Sequence, residues 1–346
     1  MRNPAHQPAC YAWMLALALS TTAFAAEDSG YHVAARYTLG GAGGWDLLAV
    51  DAASRHVFIT RGERLMAANV DDGKAVGDVA GLKRAHGVVF APALHRGYVS
   101  SGGDDRVVAF DLATLKPLAD IATGKNPDAM LFDSASRHVF AFNGKSNDAT
   151  VIDAATNKVV ATVALPGKPE LAVSDGHGKV FVNLEDKNQI AAIDAKTNTV
   201  AGTWALGTCE EPTGLAIDAA HQRLFAVCSN HQMAVVDAGS GKVVASVAIG
   251  DGPDGVVFDP ASANAFSSNS DGTLTVVHED DPNHFHVLAT VATPPRARTI
   301  ALDEKTHRVV LPFAEFDPAP AATAQQPHPR PQMKPDTFGF VVVGQH

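Results

Sequence analysis

From Tyr31 onward the chain alternates short apolar runs with polar turns, and the alternation itself repeats. The segments DLLAVDAASRHVFIT, HGVVFAPALHRGYVS, DAMLFDSASRHVFAF, ELAVSDGHGKVFVN, TGLAIDAAHQRLFAV, DGVVFDPASANAFSS and RTIALDEKTHRVVLP each hold two apolar runs of period 2 around a turn. They superpose at Asp51, Ala91, Asp133, Asp175, Asp218, Asp259 and Asp303, in steps of 40–44 residues. A second pair of runs follows in most copies: AANVDDGKAVGDV, VVAFDLATLKPLADI, ATVIDAATNKVVATV, IAAIDAKTNTVAGTW and MAVVDAGSGKVVASV. Asp71, Asp111, Asp153, Asp194 and Asp237 mark these, with His278 in a degenerate sixth. An aspartate accepts hydrogen bonds from its own turn, and a following Gly or Asn tolerates positive φ. These acids are therefore read as turn formers rather than catalytic groups.

Each repeat predicts four strands. A single four-stranded sheet cannot bury both faces, and four-stranded repeats of about 40 residues pack radially as propeller blades. The expectation is an all-β protein, a seven-bladed β-propeller with four-stranded antiparallel blades. The last repeat lacks a strand: it has two runs up to Leu311 and, after an insert, FGFVVVGQ at Phe338–Gln345. At the other end YHVAARYTLG, Tyr31–Gly40, reads as the final strand of a repeat. The N-terminal strand is expected to complete the last blade and so remove an open sheet edge.

The length of 346 residues would by itself suggest two domains. The repeat replaces that with one domain over 26–346, carrying a proline-rich insert at about 313–337. Residues 1–25 are a signal peptide by pattern. Arg2 begins it, Tyr11–Leu19 is apolar but too short to span a bilayer, and Ala23-Phe24-Ala25 invites cleavage after Ala25. The expected location is periplasmic or secreted, with no transmembrane segment after cleavage. Cys10 then departs with the leader. Cys209 and Cys228 remain as a candidate disulfide in an oxidising compartment.

The chain carries 37 acidic against 27 basic residues, net −10, with 7% aromatics. Nucleic-acid binding is opposed by both figures, because it needs a basic groove with stacking rings. No C-x-x-C-H motif occurs, which excludes covalent c-type haem.

The VIDAATNKVVATVALPG pattern and its copies resemble the YVTN-type repeats of the YncE-like family, over essentially residues 31–346. The resemblance implies bacterial exported seven-bladed propellers. It is specific for fold and export, and leaves activity open.

In such a fold, the residues five positions before the repeat markers start the innermost strands near the central channel. They are Asp46, His86, Asp128, Glu170, Thr213, Asp254 and Arg298. This ring is the candidate ligand site, electrostatically suited to a cation, a divalent metal ion or a polar ligand. The insert joins strands on the same face, where it would act as a lid or docking surface. HEDDPNHFHV, His278–Val287, has metal-binding residue types without standard zinc spacing and reads as a long polar turn. The expected function is non-catalytic binding of a ligand or periplasmic protein through the channel-mouth face. The alternative is a metal-dependent lactonase-like hydrolase, or a metal-binding protein, using Asp128, Glu170, Asp254 and His86. A propeller needs no partner copy to bury its sheets, so a monomer is expected.

Overall fold

A computed structural model describes Met1 and residues 29–321 and 329–345. The leader and its cleavage point after Ala25 lie outside the described residues, apart from Met1. So do residues 322–328 of the insert.

The described residues form antiparallel sheets and no α-helix; two short 3-10 turns interrupt the pattern. Five sheets have four strands and one has seven. The third repeat is typical, with strands Pro127–Asp133, His138–Asn143, Asp148–Asp153 and Lys158–Ala164 paired in chain order. Burial is greatest in the second strand and least in the last. His138–Asn143 is almost wholly buried, whereas Lys158–Ala164 is mostly exposed. The apolar alternation thus places the first three strands inside and leaves the last at the rim.

Seven repeats give six sheets because Ala75–Ala91 serves two of them. Its first part pairs with Gly62–Asn69, Arg64 opposite Ala80 and Gly62 opposite Ala85, and its last part pairs with Arg96–Ser101 from Ala85. Gly81 and Arg84 between them have φ of 82° and 50°. The chain therefore turns from one repeat into the next without leaving extended pairing.

The N-terminal strand His32–Thr38 pairs with Gly339–Gly344, which pairs with Arg308–Phe313 and then Ala301–Asp303. The two chain ends thus share one four-stranded sheet. Seven apolar clusters fill the spaces between successive repeats. One of them joins Leu48, Val57 and Ile59 of the first repeat to Val310, Phe338 and Phe340 of the last.

Two readings of turns need correction. In the first repeat the turn is made by Asn69, whose Oδ1 accepts from the N–H groups of Asp71 and Asp72. Asp71 instead binds Arg55. The HEDDPNHFHV segment is no long turn, because strands Thr273–Asp281 and His284–Ala292 run almost to its tip. Its histidines pair locally, His284 with Asp281 and His286 with Asp280, each at 2.7 Å.

Neighbouring repeats approach closely at their first strands. A Cβ on Gly87 would lie 2.6 Å from the Asp128 carbonyl oxygen and 3.1 Å from the Met130 nitrogen. Both are backbone atoms and cannot rotate away. Gly87→Ala is expected to destabilise the fold by about 1–3 kcal/mol through forced separation of the strands. An unchanged urea midpoint would contradict this packing.

Candidate functional site

Six of the ring positions open or precede a first strand, and His86 lies inside the long strand Ala75–Ala91. Proline stands directly before four of them: Pro127, Pro169, Pro212 and Pro253 begin the strands that carry Asp128, Glu170, Thr213 and Asp254. Proline fits the first position of a strand because it has no N–H to place in the ladder.

The ring backbone is stitched across repeats. Thr299 Oγ1 donates to the Asp46 carbonyl at 2.9 Å, Thr60 Oγ1 to the His86 carbonyl at 2.9 Å, and Ser100 Oγ to the Asp128 carbonyl at 2.8 Å. Asn183 Nδ2 donates to the Thr213 carbonyl at 3.0 Å. Asn183 is thus an inter-repeat bond rather than a local turn cap, whereas Asn143 and Asn269 bond within their own hairpins.

Of the ring positions, Asp46, His86 and Asp128 come together as one group. His86 Nδ1 lies 2.5 Å from Asp46 Oδ2 and 3.8 Å from Asp128 Oδ1. One ligand atom from each residue falls within 4.8 Å of the others. His86 Nε2 is buried with no hydrogen-bond partner among the described residues. Burial lowers the His86 pKa, but the hydrogen bond His86 donates to Asp46 and the charges of Asp128 and Asp46 outweigh it and raise the net value.

The other acids feel this group. Burial pushes Asp128 up, against the pull of His86, and the Asp46 charge adds to the rise. Glu170 is pushed up to about 7 by burial, opposed by Lys168 and reinforced by Asp128 and Glu185. Asp254 is pushed up to about 6, again by burial, with Arg298 opposing and Asp46 and Asp128 adding. The Asp128 charge adds to the rise at both Glu170 and Asp254, and a cation beside Asp128 would relieve that repulsion.

Arg298 binds Asp254 through Nε at 3.2 Å. Thr213 stands apart: its Oγ1 donates to the Pro253 carbonyl at 3.3 Å and serves the stitching. Lys168 was missed by the ring offset. It binds Glu170 at 2.7 Å and also Glu185. Of the residues two positions before the ring, Arg84, Asn126, Glu211, Gly252 and Arg296 take positive φ, whereas Lys168 and Gly44 do not.

Cys209 and Cys228 form a disulfide, with Cα atoms 5.4 Å apart. The insert begins and ends as a strap, bridged at Phe316 and Met333. Phe316 packs toward Trp45 with ring centroids 6.1 Å apart, on the loop that leads into Asp46.

Sheets of this kind, stacked side by side with their first strands inward, define a β-propeller. A chain of the Kuenenia stuttgartiensis hydrazine synthase has a similar fold, with a TM-score of 0.68 at 15% identity over 78% of this chain and 92% of that one. The likeness is one of fold alone. No protein-family model matches the sequence, and no curated protein matches it.

Proposed function

We propose that this chain is an exported, seven-bladed propeller of the YncE-like, YVTN-repeat type that binds a cationic ligand without catalysis at its channel mouth. Seven inter-repeat apolar clusters and the shared sheet of the two chain ends support a closed seven-bladed ring. The disulfide supports export to an oxidising compartment. The observation that carries the binding reading is the convergence of Asp46, His86 and Asp128 beside two desolvated acids, Glu170 and Asp254. Imidazole and carboxylate together suit a divalent transition metal ion.

The pH dependence has a definite sign. Glu170 and Asp254 sit above the ordinary carboxylate range of about 4, so the folded protein holds extra protons between that value and about 7. A cation must displace them. Calorimetric titration with Mn²⁺ or Zn²⁺ is expected to show one saturable event per chain. Affinity should rise from pH 6 to pH 8, with proton release, and be lost in His86→Ala. Binding that is absent at pH 8, or intact in His86→Ala, would overturn the reading. The value of about 7 for Glu170 also suits a general base at neutral pH. Lactone hydrolysis by the metal-loaded protein, abolished in Glu170→Gln, would convert the proposal into a hydrolase.

A further inference from the structure

We propose that the cleft between the insert strap and the channel-mouth face is a second binding site, made for an organic anion: a carboxylate or phosphate borne on a flat apolar body. The cleft encloses about 620 Å³, lined by Trp45, Phe316, Arg296, Arg298 and Arg330 together with Gly44 and Ser270. That volume is in the range of small-molecule sites, about 300–1,000 Å³. Three guanidinium groups and no carboxylate line it, in a chain of net charge −10. Such a concentration of positive charge is contrary to the balance of the rest of the molecule.

The arginines have donors to spare. Neither Arg296 nor Arg330 has an acidic partner among the described residues, and Arg298 meets Asp254 through Nε at 3.2 Å with its side chain still 55% exposed. A guanidinium offers two parallel N–H groups to a carboxylate or phosphate. The walls are aromatic: the Trp45 and Phe316 rings lie 6.1 Å apart, and the Arg296 guanidinium sits 5.0 Å over the Phe316 ring. A flat anion would present its charge to the arginines and its faces to these rings.

The cleft is held in shape by the fold. The buried Arg61 donates to the carbonyls of Gly40, Gly41, Ala42, Gly43 and Gly44, and stacks 3.5 Å over Phe338. The glycine-rich loop is thereby wrapped around one guanidinium, which fixes Trp45 at its end. Opposite, the strap is tied by Asp317 N to the Gln332 carbonyl at 2.9 Å and Lys334 N to the Glu315 carbonyl at 2.8 Å. Arg296 keeps a left-handed backbone, φ 69°, with its N–H on the Ser270 carbonyl at 2.9 Å. Rigid walls reduce the ordering cost of binding. The site goes beyond the cation reading and shares only Arg298 with it.

The test is titration of the protein with phenyl phosphate, benzoate, inorganic phosphate and neutral benzamide, followed by tryptophan fluorescence and calorimetry. Saturable binding of an aromatic anion is expected, with no response to benzamide and weaker binding of inorganic phosphate. Whichever of phenyl phosphate and benzoate binds more tightly identifies the head group. Loss of charge-assisted bonds in Arg296→Ala/Arg330→Ala should weaken binding by about tenfold or more, while Mn²⁺ binding at the ring stays as in the wild type. The single variant Arg330→Gln, on the strap and outside the sheets, repeats the measurement if the double variant does not fold. No saturable signal up to about 10 mM of either aromatic anion, an equal response to benzamide, or unchanged affinity in a folded arginine variant would overturn the proposal.

Discussion

Arg55→Ala is expected to lower the unfolding free energy by about 3 kcal/mol at pH 7, near the low end of the range for breaking a buried ion pair. Arg55 meets Asp303 in a two-pronged contact, Nη1 to Oδ1 at 2.6 Å and Nη2 to Oδ2 at 2.7 Å. Asp303 is 3% exposed and Arg55 14% by side chain, so removal of the arginine leaves a carboxylate with little water. The contact with Asp71, which is 57% exposed, adds little by comparison. The pair joins residues 248 positions apart and ties the sheet of the chain ends to the first repeat. Arg55 is also left-handed, φ 61°. Arg55→Gly should therefore be milder than Arg55→Ala by about 1 kcal/mol.

The same pair predicts a pH dependence. Burial alone would raise the Asp303 pKa, but the hydrogen bonds from Arg55 and Thr306 outweigh it and hold the carboxyl below the usual range. A depressed carboxyl stabilises the fold above its unfolded value, about 3.9, and that contribution fades as pH falls through the native value. Denaturation curves of wild type and Arg55→Ala should thus differ by a constant amount from pH 5 to 8 and converge below about pH 4. Equal stabilities at pH 7 would remove the pair from the account of the fold. Screening by 0.5 M salt should change the gap little, because the contact is buried.

Arg55 also marks where sequence reading stops. The repeat was legible because its signals are local. Alternating burial shows along outer strands such as Thr199–Ala205, inner strands such as Arg223–Cys228 are buried throughout, and Asp51, Asp133, Asp218 and Asp259 each accept from the backbone of their own turn. The pairing of Tyr31–Gly40 with Phe338–Gln345 was legible from strand counting. The left-handed residue four positions after the marker was not, because it is Arg55, His95, Arg137, Gln222, Ala263 and His307 rather than glycine. Two of these reach back to the preceding repeat's aspartate: Arg55 to Asp303, and His307 to Asp259 at 2.9 Å. The marker aspartates therefore form turns and also clasp neighbours. Asp46, His86 and Asp128, which the fold brings together, could be found from one offset because the repeats share it. The arginine cleft could not. Trp45, Arg296, Phe316 and Arg330 come from three segments, and the strap that brings them together occurs in only one repeat.

Removing the disulfide is expected to cost about 3 kcal/mol, the chain-entropy value for closing a loop of about 20 residues. Cys209 precedes the first strand of its repeat and Cys228 ends the second, where Pro212 is its partner in register. Both sulfur-bearing residues are buried, at 1% and 0% exposure. A reductant should therefore act slowly on the folded protein and readily after unfolding. The bond also secures a loop that carries its own network: Asn230 Nδ2 to the Thr208 carbonyl at 2.7 Å, Ser229 N to the Glu210 carbonyl at 2.8 Å, and Glu211 N to Asn188 Oδ1 at 2.8 Å. Glu211 has φ 46°, a conformation that its neighbours must impose. Cys209→Ala/Cys228→Ala should thus lower the urea midpoint and raise amide exchange at Thr208–Glu211 first, ahead of the sheets. Protein made in a reducing compartment should match the double variant until oxidised. A double variant as stable as the oxidised wild type would show that the hydrogen-bond network alone holds this loop.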